Sequence, residues 1–313
     1  MLGDTANMDF TTIPYWGDDE ILENNWSGKR GKALPSILAA LAQDPDTGII
    51  CYGDTTVRHS NQSDTVLTFL DFYYADTQPN DSLKYLIFDS KFTTYQHLDK
   101  INKRSVNFIT IRQRSKVLVR HIETIDAKEW KKIDIEKAKG TRSLLAFEET
   151  TTLKDYEGLV RQVFIKNPNK HKPAILITND FDIPLAKLVR KYSRRWLVET
   201  EISEQIDFFH LNRNSSGIVI KVDFDLTMTI LAHNLLRLFC RELEAYSACN
   251  AETLYDKFIS APGDVVIKDN TVAVSLKKRK ELPSLMENLQ NVEKLPIPWL
   301  QNFQMHFSIG SST

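Results

Sequence analysis

Short apolar segments separated by helical patterns constrain the fold of this chain more than any other feature. KYLIFDS (84–90), VNFITIR (106–112) and PAILITND (173–180) have the length and apolar content of buried strands. TTYQHLDKIN (93–102) lies between the first two and is predicted to be a helix. Strands that alternate with helices are typical of an α/β fold, in which helices cover a central sheet. The pattern therefore predicts a mixed sheet with flanking helices.

The neighbouring segments extend this pattern. ALPSILAALAQDPDTGIICYGD (33–54) contains two apolar runs joined by turn-forming residues, which predicts a β-hairpin. SDTVLTFLDFYYA (63–75) is predicted to be a helix with Ser63 as its N-cap. Residues 113–172 consist of β-prone pieces, the first of them KVLVRHIETI, separated by charged links. We therefore expect a β-rich insertion in this part of the chain.

Two helices and a second hairpin are predicted in the remainder. Residues 183–211 contain no glycine and only Pro184, near the start, where a missing N–H is tolerated. This predicts one long helix. Residues 223–243 are apolar on most faces, which favours a helix buried against the sheet. DVVIKDNTVAVSLKK (264–278) has Asp-Asn at its centre and predicts a hairpin.

The composition is that of an ordinary globular protein, with 42% hydrophobic residues in 313. The cysteines Cys51, Cys240 and Cys249 form no C-x-x-C pair, which argues against a structural zinc site or a disulfide framework and fits a reducing compartment. No segment has the length and apolar content of a membrane span, and the N-terminus lacks the features of a signal peptide. We expect a cytoplasmic protein with no membrane association.

The net charge of −1 is the sum of two oppositely charged parts. Residues 1–90 carry 5 Lys and Arg against 14 Asp and Glu, whereas residues 91–313 carry 35 against 27. Residues 161–198 contain nine bases and only two acids. Such a local excess attracts phosphate groups despite a nearly neutral total. A charge run by itself is more often a solvated surface, so a second signal is needed.

That signal is YSRRWLVETE (192–201), within the predicted long helix. Residues three, four or seven positions apart share a helix face, so Tyr192, Arg195 and Glu199 project together. Tyrosine and arginine donate to phosphate oxygens, and a phosphate repels a neighbouring carboxylate unless a cation lies between them. The combination therefore implies a metal ion. For one helix alone, an ordinary Arg195–Glu199 surface pair is the better explanation.

Two aspartates strengthen the metal interpretation. Asp89 ends the strand KYLIFDS, and strand ends are where α/β sheets place their chemistry. Asp9 lies in TANMDFTTIPYW, which we expect to be the neighbouring strand. Carboxylates that converge from separate elements repel one another unless divalent cations hold them. Two Mg²⁺ ions can activate a nucleophile and stabilise a leaving oxygen, which is phosphodiester chemistry.

This order of elements resembles the ribonuclease-H-like catalytic domain of bacterial insertion-sequence DDE transposases. One large group of them carries the signature Y-(2)-R-(3)-E-(6)-K around its last acidic residue. Tyr192, Arg195 and Glu199 match the first three positions at the right spacing, in an RRW context. IFDSKF and MDFTTIPYWG are similar to the regions of the second and first aspartates. The resemblance covers roughly residues 8–245 and implies an α/β, ribonuclease-H-like mixed sheet with a β-rich insertion between the second Asp and the Glu.

The resemblance implies a DNA transposase that cleaves at transposon ends and transfers the strand into target DNA. Asp9, Asp89 and Glu199 would be catalytic and would bind Mg²⁺ or Mn²⁺, as two ions. Tyr192 and Arg195 would hold DNA phosphates, and Arg194 and Lys191 would bind DNA beside them. The partner would be double-stranded DNA, bound by a dimer, in the cytoplasm at the nucleoid. The implied domains are 1–112 and 173–250, the two parts of the catalytic domain, with the insertion at 113–172 and a C-terminal extension at 251–313.

The chain departs from the signature at its fourth position, where Ile206 replaces the lysine. That DNA contact is either lost or moved to His210, although a lone histidine near a helix end is more often structural. Glu201 competes with Glu199 but points about 200° away around the helix. GKRGK (28–32) is expected either to touch flanking DNA or to form a solvated loop.

Two alternatives stay open. Asp89-Ser90-Lys91 fits the D-x-K half of a restriction-like nuclease core, although this short pattern leaves Tyr192, Arg195 and Glu199 without a use. The chain can also be a truncated or domesticated transposase domain that binds DNA without catalysis. Family members usually carry a DNA-binding region before the catalytic domain, whereas eight residues precede Asp9 here.

Overall fold

The computed structural model describes residues 3–15, 22–27, 31–76, 83–136, 141–166, 173–211, 219–243, 246–292 and 295–310. The chain divides into two compact units, Met1–Ile230 and Leu231–Thr313. None of the described helices is long and apolar enough to cross a membrane.

Within the described part of the first unit, ten strands form one mixed sheet. They are β1 (Thr5–Pro14), β2 (Asn24–Ser27), β3 (Lys32–Gln43), β4 (Ile50–Val57), β5 (Tyr85–Phe88), β6 (Asn107–Ile111), β7 (Lys131–Glu136), β8 (Thr141–Thr151), β9 (Val160–Lys166) and β10 (Ala174–Thr178). Their order is β2-β3-β1-β5-β6-β10-β9-β8-β7, and β4 also pairs with β3. β1, β5 and β6 are parallel, and the other pairs are antiparallel. This confirms the predicted mixed sheet.

Helices cover both faces of this sheet. They are α1 (Thr65–Asp76), α2 (Tyr95–Lys103), α3 (Lys116–Thr124), α4 (Leu185–Ser193), α5 (Trp196–Asp207) and α6 (Val219–Glu242), with 3₁₀ turns at Gln62–Asp64, Ser90–Phe92 and Ala127–Glu129. Successive residues of a strand point to opposite faces. Accordingly, Met8 of β1 packs in the cluster of α1 and α2, whereas Ile13 packs in the cluster of α5 and α6.

Most predicted elements lie where the sequence places them. The hairpin expected at 33–54 is β3 and β4, and the segments 84–90, 106–112 and 173–180 contain β5, β6 and β10. The helix expected at 63–75 is α1, but it begins at Thr65. Ser63 therefore lies in the preceding 3₁₀ turn and is not the N-cap of α1.

The first part of the region 113–172 differs from the prediction, because KVLVRHIETI forms the helix α3 rather than a strand. The Ser115 hydroxyl accepts a hydrogen bond from the Leu118 N–H at 3.1 Å and caps the helix. Leu118, Ile122 and Ile125 share one apolar cluster, and their spacing of four and three is helical. The rest of the region is β-rich as predicted, and β7, β8 and β9 extend the main sheet beyond β10.

The single long helix predicted over 183–211 is also wrong, because two helices, α4 and α5, occupy this segment. The Arg195 N–H bonds the Tyr192 carbonyl at 3.1 Å, and the Val198 N–H bonds the Arg195 carbonyl at 3.1 Å. These are bonds to the third preceding residue, which tighten the chain at the junction. Arg194 and Arg195 at this junction both keep right-handed helical backbone angles, so the chain begins a new helix at Trp196.

The second unit contains the end of α6, then α7 (Ala251–Leu254), a π-helical turn (Tyr255–Ile259), β11 (Gly263–Lys268), β12 (Thr271–Lys277), α8 (Leu282–Val292) and β13 (Gln304–Gly310). β12 pairs antiparallel with β11 and parallel with β13. The predicted hairpin is confirmed: Asp269 and Asn270 form its turn with φ of 50° and 61°. Two consecutive left-handed residues are the geometry that tight hairpins favour.

Candidate active site

Asp9 and Asp89 lie at the same level of two neighbouring strands. β1 and β5 are parallel, with Thr5 opposite Tyr85 and Asn7 opposite Ile87. Continued by two residues, this register places Asp9 opposite Asp89, the residue that follows β5. Adjacent strands are about 4.8 Å apart. The sheet therefore presents two carboxylates side by side at the carboxyl end of β5, where α/β folds bind ligands.

The carboxylate of Asp9 is held from two sides. Its Oδ1 accepts a hydrogen bond from the Phe10 N–H at 2.8 Å. Its Oδ2 forms an ion pair with Nη1 of Arg195, and the two side chains are only 16% and 11% exposed. A charged pair with this little solvent interacts more strongly than a surface pair. Arg195 therefore fixes the position of Asp9 relative to the junction of α4 and α5.

Asp89 is held by a tight turn. Its backbone carbonyl accepts a hydrogen bond from the Phe92 N–H at 3.1 Å, and its Oδ1 accepts one from the Ser90 hydroxyl at 3.1 Å. Phe92 is fully buried and stacks on Phe10, with ring centres 3.6 Å apart. Phe10 directly follows Asp9. This aromatic stack therefore connects the segments that carry the two aspartates.

Tyr192 lies near enough to Asp9 and Asp89 for both charges to act on its hydroxyl. Burial raises the pKa of its hydroxyl above the usual value; Arg195 opposes this rise, and the charges of Asp89 and Asp9 add to it. The Arg195 guanidinium carbon lies 5.9 Å from the centre of the Tyr192 ring. The tyrosine is therefore a neutral hydroxyl donor at neutral pH, next to the carboxylates.

Glu199 lies in the first turn of α5. Its side chain, like those of Trp196 and Glu201, lies outside the described part of the structure. Among the side chains that are described, no three His, Cys, Asp or Glu residues form a metal-binding group. Asp9 and Asp89 nevertheless supply oxygen ligands, which Mg²⁺ and Mn²⁺ prefer, so the residues present fit such an ion.

Lys191 and Arg194 are not brought to the aspartates. Nζ of Lys191 donates to the Thr5 hydroxyl at 2.8 Å and lies 4.2 Å from the centre of the Tyr85 ring, at the start of β1 and β5. Burial lowers the pKa of this lysine, opposed by the Asp4 and Asp46 carboxylates. Arg194 forms an ion pair with Asp46 at 2.7 Å and donates to the Pro45 carbonyl at 2.6 Å.

A row of contacts connects β1 to the junction of α4 and α5. These contacts were not expected from the sequence. Thr5, Asn7 and Asp9 are alternate residues of one strand, and they contact Lys191, the backbone of Arg194, and Arg195 in turn. Asn7 is fully buried, and its Nδ2 donates to the Arg194 carbonyl at 3.0 Å. The alternation of polar residues in TANMD was the available signal, because a period of two marks one face of a strand.

Three further predicted positions have mixed outcomes. Ile206 is partly buried and packs against the apolar cluster of Val198 and Ile202, which explains an apolar residue at that position. α5 ends at Asp207, and His210 follows with a left-handed φ of 57°. His210 therefore lies beyond α5, although the single helix predicted over 183–211 would have included it. In GKRGK, residues 28–30 lie outside the described residues, and Lys32 begins β3.

Comparison with known proteins adds two findings. The family model described as "Transposase DDE domain" matches residues 7–235. A cryo-EM structure of piggyBac transposase in a synaptic complex with hairpin DNA is similar in fold, with a TM-score of 0.51 and 12% sequence identity. The similarity covers 84% of this chain and 55% of that one, so the chain spans about half of that neighbour's length. No curated protein sequence matches the chain.

Proposed function

Because the chain belongs to the family of transposase DDE domains, we propose that it cleaves phosphodiester bonds at transposon ends and joins the freed strand to target DNA. The observation that supports this most directly is the register of β1 and β5, which sets Asp9 level with Asp89. Arg195 forms an ion pair with Asp9, and the charges of Asp9 and Asp89 both act on the Tyr192 hydroxyl. Hydroxyl and guanidinium donors beside paired carboxylates suit a phosphodiester substrate.

Members of this family use divalent metal ions. We propose that Asp9, Asp89 and Glu199 hold two Mg²⁺ or Mn²⁺ ions, which would supply Lewis-acid activation of the nucleophile and of the leaving oxygen. Arg195 positions Asp9 by its ion pair and reduces the repulsion between the carboxylates. Tyr192 stays protonated, because burial and the two aspartates raise its pKa, and donates a hydrogen bond to a phosphate oxygen.

The proposed reaction has two displacements at phosphorus. In the first, the oxygen of a water molecule bonds to phosphorus at the transposon end, the bond to the 3′ oxygen breaks, and that oxygen leaves as a 3′-hydroxyl. In the second, this hydroxyl attacks a phosphodiester of target DNA, and a target 3′-hydroxyl leaves. Each step forms one P–O bond and breaks one. Duplex DNA would therefore be both substrate and partner, and we propose that the protein associates with the nucleoid.

The test is nicking and strand transfer on duplexes that carry the element's own ends, with Mg²⁺ or Mn²⁺. Asp89→Asn and Glu199→Gln are expected to reduce product to background, because each removes a charged oxygen ligand. Asp134→Asn is the matched control: Asp134 is an exposed aspartate on β7, at the far edge of the sheet from β1. It is expected to leave activity unchanged.

Thermal unfolding of each variant separates loss of chemistry from loss of fold. If wild type binds duplex DNA but yields no product with either ion, the chain is a DNA-binding domain without catalysis, and the proposed reaction is wrong.

We also propose that the protein acts as a dimer on DNA, since strand transfer requires two transposon ends to be held together. The first part of α6 offers apolar surface for such a contact, because Ile220, Phe224 and Met228 are 75%, 62% and 45% exposed. Light scattering of the protein with and without end DNA tests this, and a monomer in both samples would contradict it. Phe224→Lys is expected to weaken the dimer without reducing nicking of a single end.

A further inference from the structure

We propose that α3, together with Arg114 and Ser115 just before it, forms a DNA-binding surface in addition to the candidate active site. This surface would hold the phosphate backbone of the duplex beside the catalytic aspartates. We call it the α3 groove and define it by Arg114, Lys116 and Arg120. It rests on the proposed function, but no residue of it belongs to the Tyr-Arg-Glu signature. The sequence RQRSKVLVR (112–120) contains four bases and no acid.

The α3 groove is a concavity whose lining carries more positive than negative charge. A cavity of about 490 Å³ is lined by Arg114, Ser115, Lys116, Val119, Arg120, Glu123 and Pro173. The three bases are exposed, and within the described residues none of them pairs with a carboxylate. Within the part of the chain that the structure describes, Arg114 makes one long contact, from Nη1 to the Pro173 carbonyl at 3.3 Å. Three bases against Glu123 leave a net positive lining that attracts phosphates.

Arg112 differs from these three bases, although it belongs to the same run. Its guanidinium hydrogen-bonds the Gln162 side chain and lies 5.9 Å from the centre of the Tyr95 ring. It is therefore engaged in the fold. The cations of this run that remain available to a ligand are therefore Arg114, Lys116 and Arg120.

The location of the α3 groove follows from the sheet. β6 is parallel to β5 and adjacent to it, so the chain that leaves β6 at Ile111 emerges at the same edge as Asp89. A second cavity, of about 540 Å³, is lined by residues that include Ser90, Tyr95, Thr110 and Gln113. This cavity extends from Ser90, which is next to Asp89, to Gln113, which is next to Arg114. A duplex that reaches the aspartates would therefore continue onto α3.

The chemistry of the α3 groove fits phosphate oxygens rather than base edges. Its cations are Arg114, just before α3, and Lys116 and Arg120 on α3, and no aromatic side chain that could stack on a base lines the described cavity. Arginine and lysine contacts to phosphates set the register of a duplex without reading its sequence. The α3 groove would therefore contribute affinity and salt dependence, and little sequence specificity.

The test compares two charge-matched triple variants. Arg114→Gln/Lys116→Gln/Arg120→Gln removes three positive charges from the α3 groove. Lys84→Gln/Lys100→Gln/Arg104→Gln removes three from exposed positions on the opposite side, since Lys84 precedes β5 and Arg104 follows α2. Glutamine keeps the helix propensity of lysine and arginine. Binding of a duplex is measured by fluorescence anisotropy in EDTA, at salt concentrations from about 50 to 200 mM.

The groove variant is expected to lose at least about tenfold in affinity at moderate salt, and the slope of log K against log salt is expected to fall by about 2 to 3, since each phosphate contact contributes about 0.9. The control variant is expected to change affinity by less than about threefold. Equal losses in both variants, or no loss in the groove variant, would overturn the α3 groove while leaving the proposed reaction standing. Wild-type protein that binds no duplex at any salt would instead overturn the proposed function.

Discussion

Lys191, Arg194 and Arg195 contact groups of their own chain, whereas Arg114, Lys116 and Arg120 are exposed and have no carboxylate partner in the described structure. Both segments are short and strongly basic, and the sequence alone does not separate them. Asp9, Asp46 and Thr5 receive the donors of the first segment. The second begins just before α3 and continues on that helix, and its three cations are exposed.

The difference shows that two basic segments of similar composition can make different contacts within the folded protein. A cation in a buried position loses its hydration, and it is stable there only with partners from the protein. An exposed cation keeps its hydration and its counterions until a phosphate replaces them. We infer that the first segment mainly fixes the positions of catalytic residues and that the second mainly supplies DNA affinity. The following variants test this division.

The largest expected effect is on stability, from Arg195→Ala. It leaves the carboxylate of Asp9 largely buried without its cation, and breaking such a pair lowers the free energy of unfolding by about 3 kcal/mol or more. Urea unfolding measures this loss. Arg195→Lys keeps the charge and is expected to lose less. A loss below about 1 kcal/mol for Arg195→Ala would mean that the pair behaves as a surface pair and that Arg195 does not position Asp9.

A reciprocal pair of single variants comes next. Lys191→Met is expected to change duplex affinity by less than about twofold, because Nζ of Lys191 donates to the Thr5 hydroxyl and lies over the Tyr85 ring. Lys116→Met is expected to weaken duplex binding by about threefold or more and to leave stability within about 0.5 kcal/mol, as for most surface substitutions. Anisotropy and urea unfolding on both variants check this. The reverse pattern, with DNA affinity lost only in Lys191→Met, would contradict the division.

Arg194→Gln has a smaller expected effect. Its ion pair with Asp46 joins side chains that are 41% and 58% exposed, and such pairs contribute about 0.2 to 1 kcal/mol. We expect a stability loss in that range and less than a twofold change in duplex affinity. A tenfold loss of affinity with unchanged stability would show that Arg194 binds DNA directly, as the sequence analysis expected.

The smallest expected effect is a pH dependence at Tyr192. Burial raises the pKa of this hydroxyl in the folded protein, with Arg195 opposing and the two aspartates adding to the rise. A raised folded-state pKa contributes stability below the unfolded value of about 10, and this contribution is lost as pH rises further. Tyr192→Phe is therefore expected to lose less stability than wild type between about pH 9 and pH 11. Equal losses would show that Tyr192 titrates normally.

Much of the fold follows from local patterns. β5, β6 and β10 were predicted from short apolar runs, and the hairpin at Asp269 and Asn270 from its turn residues. These elements depend on neighbours in sequence. KVLVRHIETI was assigned to a strand because its β-branched residues favour one, but the Ser115 cap and the burial of Ile122 made it a helix. The junction at Arg194 and Arg195 was missed because both residues are good helix formers.

The candidate site was predictable in part. Asp9 and Asp89 were selected by position and resemblance, and the structure places them at one level of the sheet. Their closeness depends on the pairing of β1 with β5, which joins residues 80 positions apart in the sequence. The α3 groove gave no signature, because exposed lysine and arginine occur on most surfaces. Only the neighbouring cavity and the parallel direction of β6 distinguish it.

The sequence by itself determined the succession of strands and helices, the spacing of Tyr192, Arg195 and Glu199, and the separation of an acidic first part from a basic remainder. The tertiary structure decided which cations are held by the protein and which face solvent, and which carboxylates meet. The physical reason is that periodicity and capping act over a few residues, whereas strand register and ion pairing act between residues that only folding brings together.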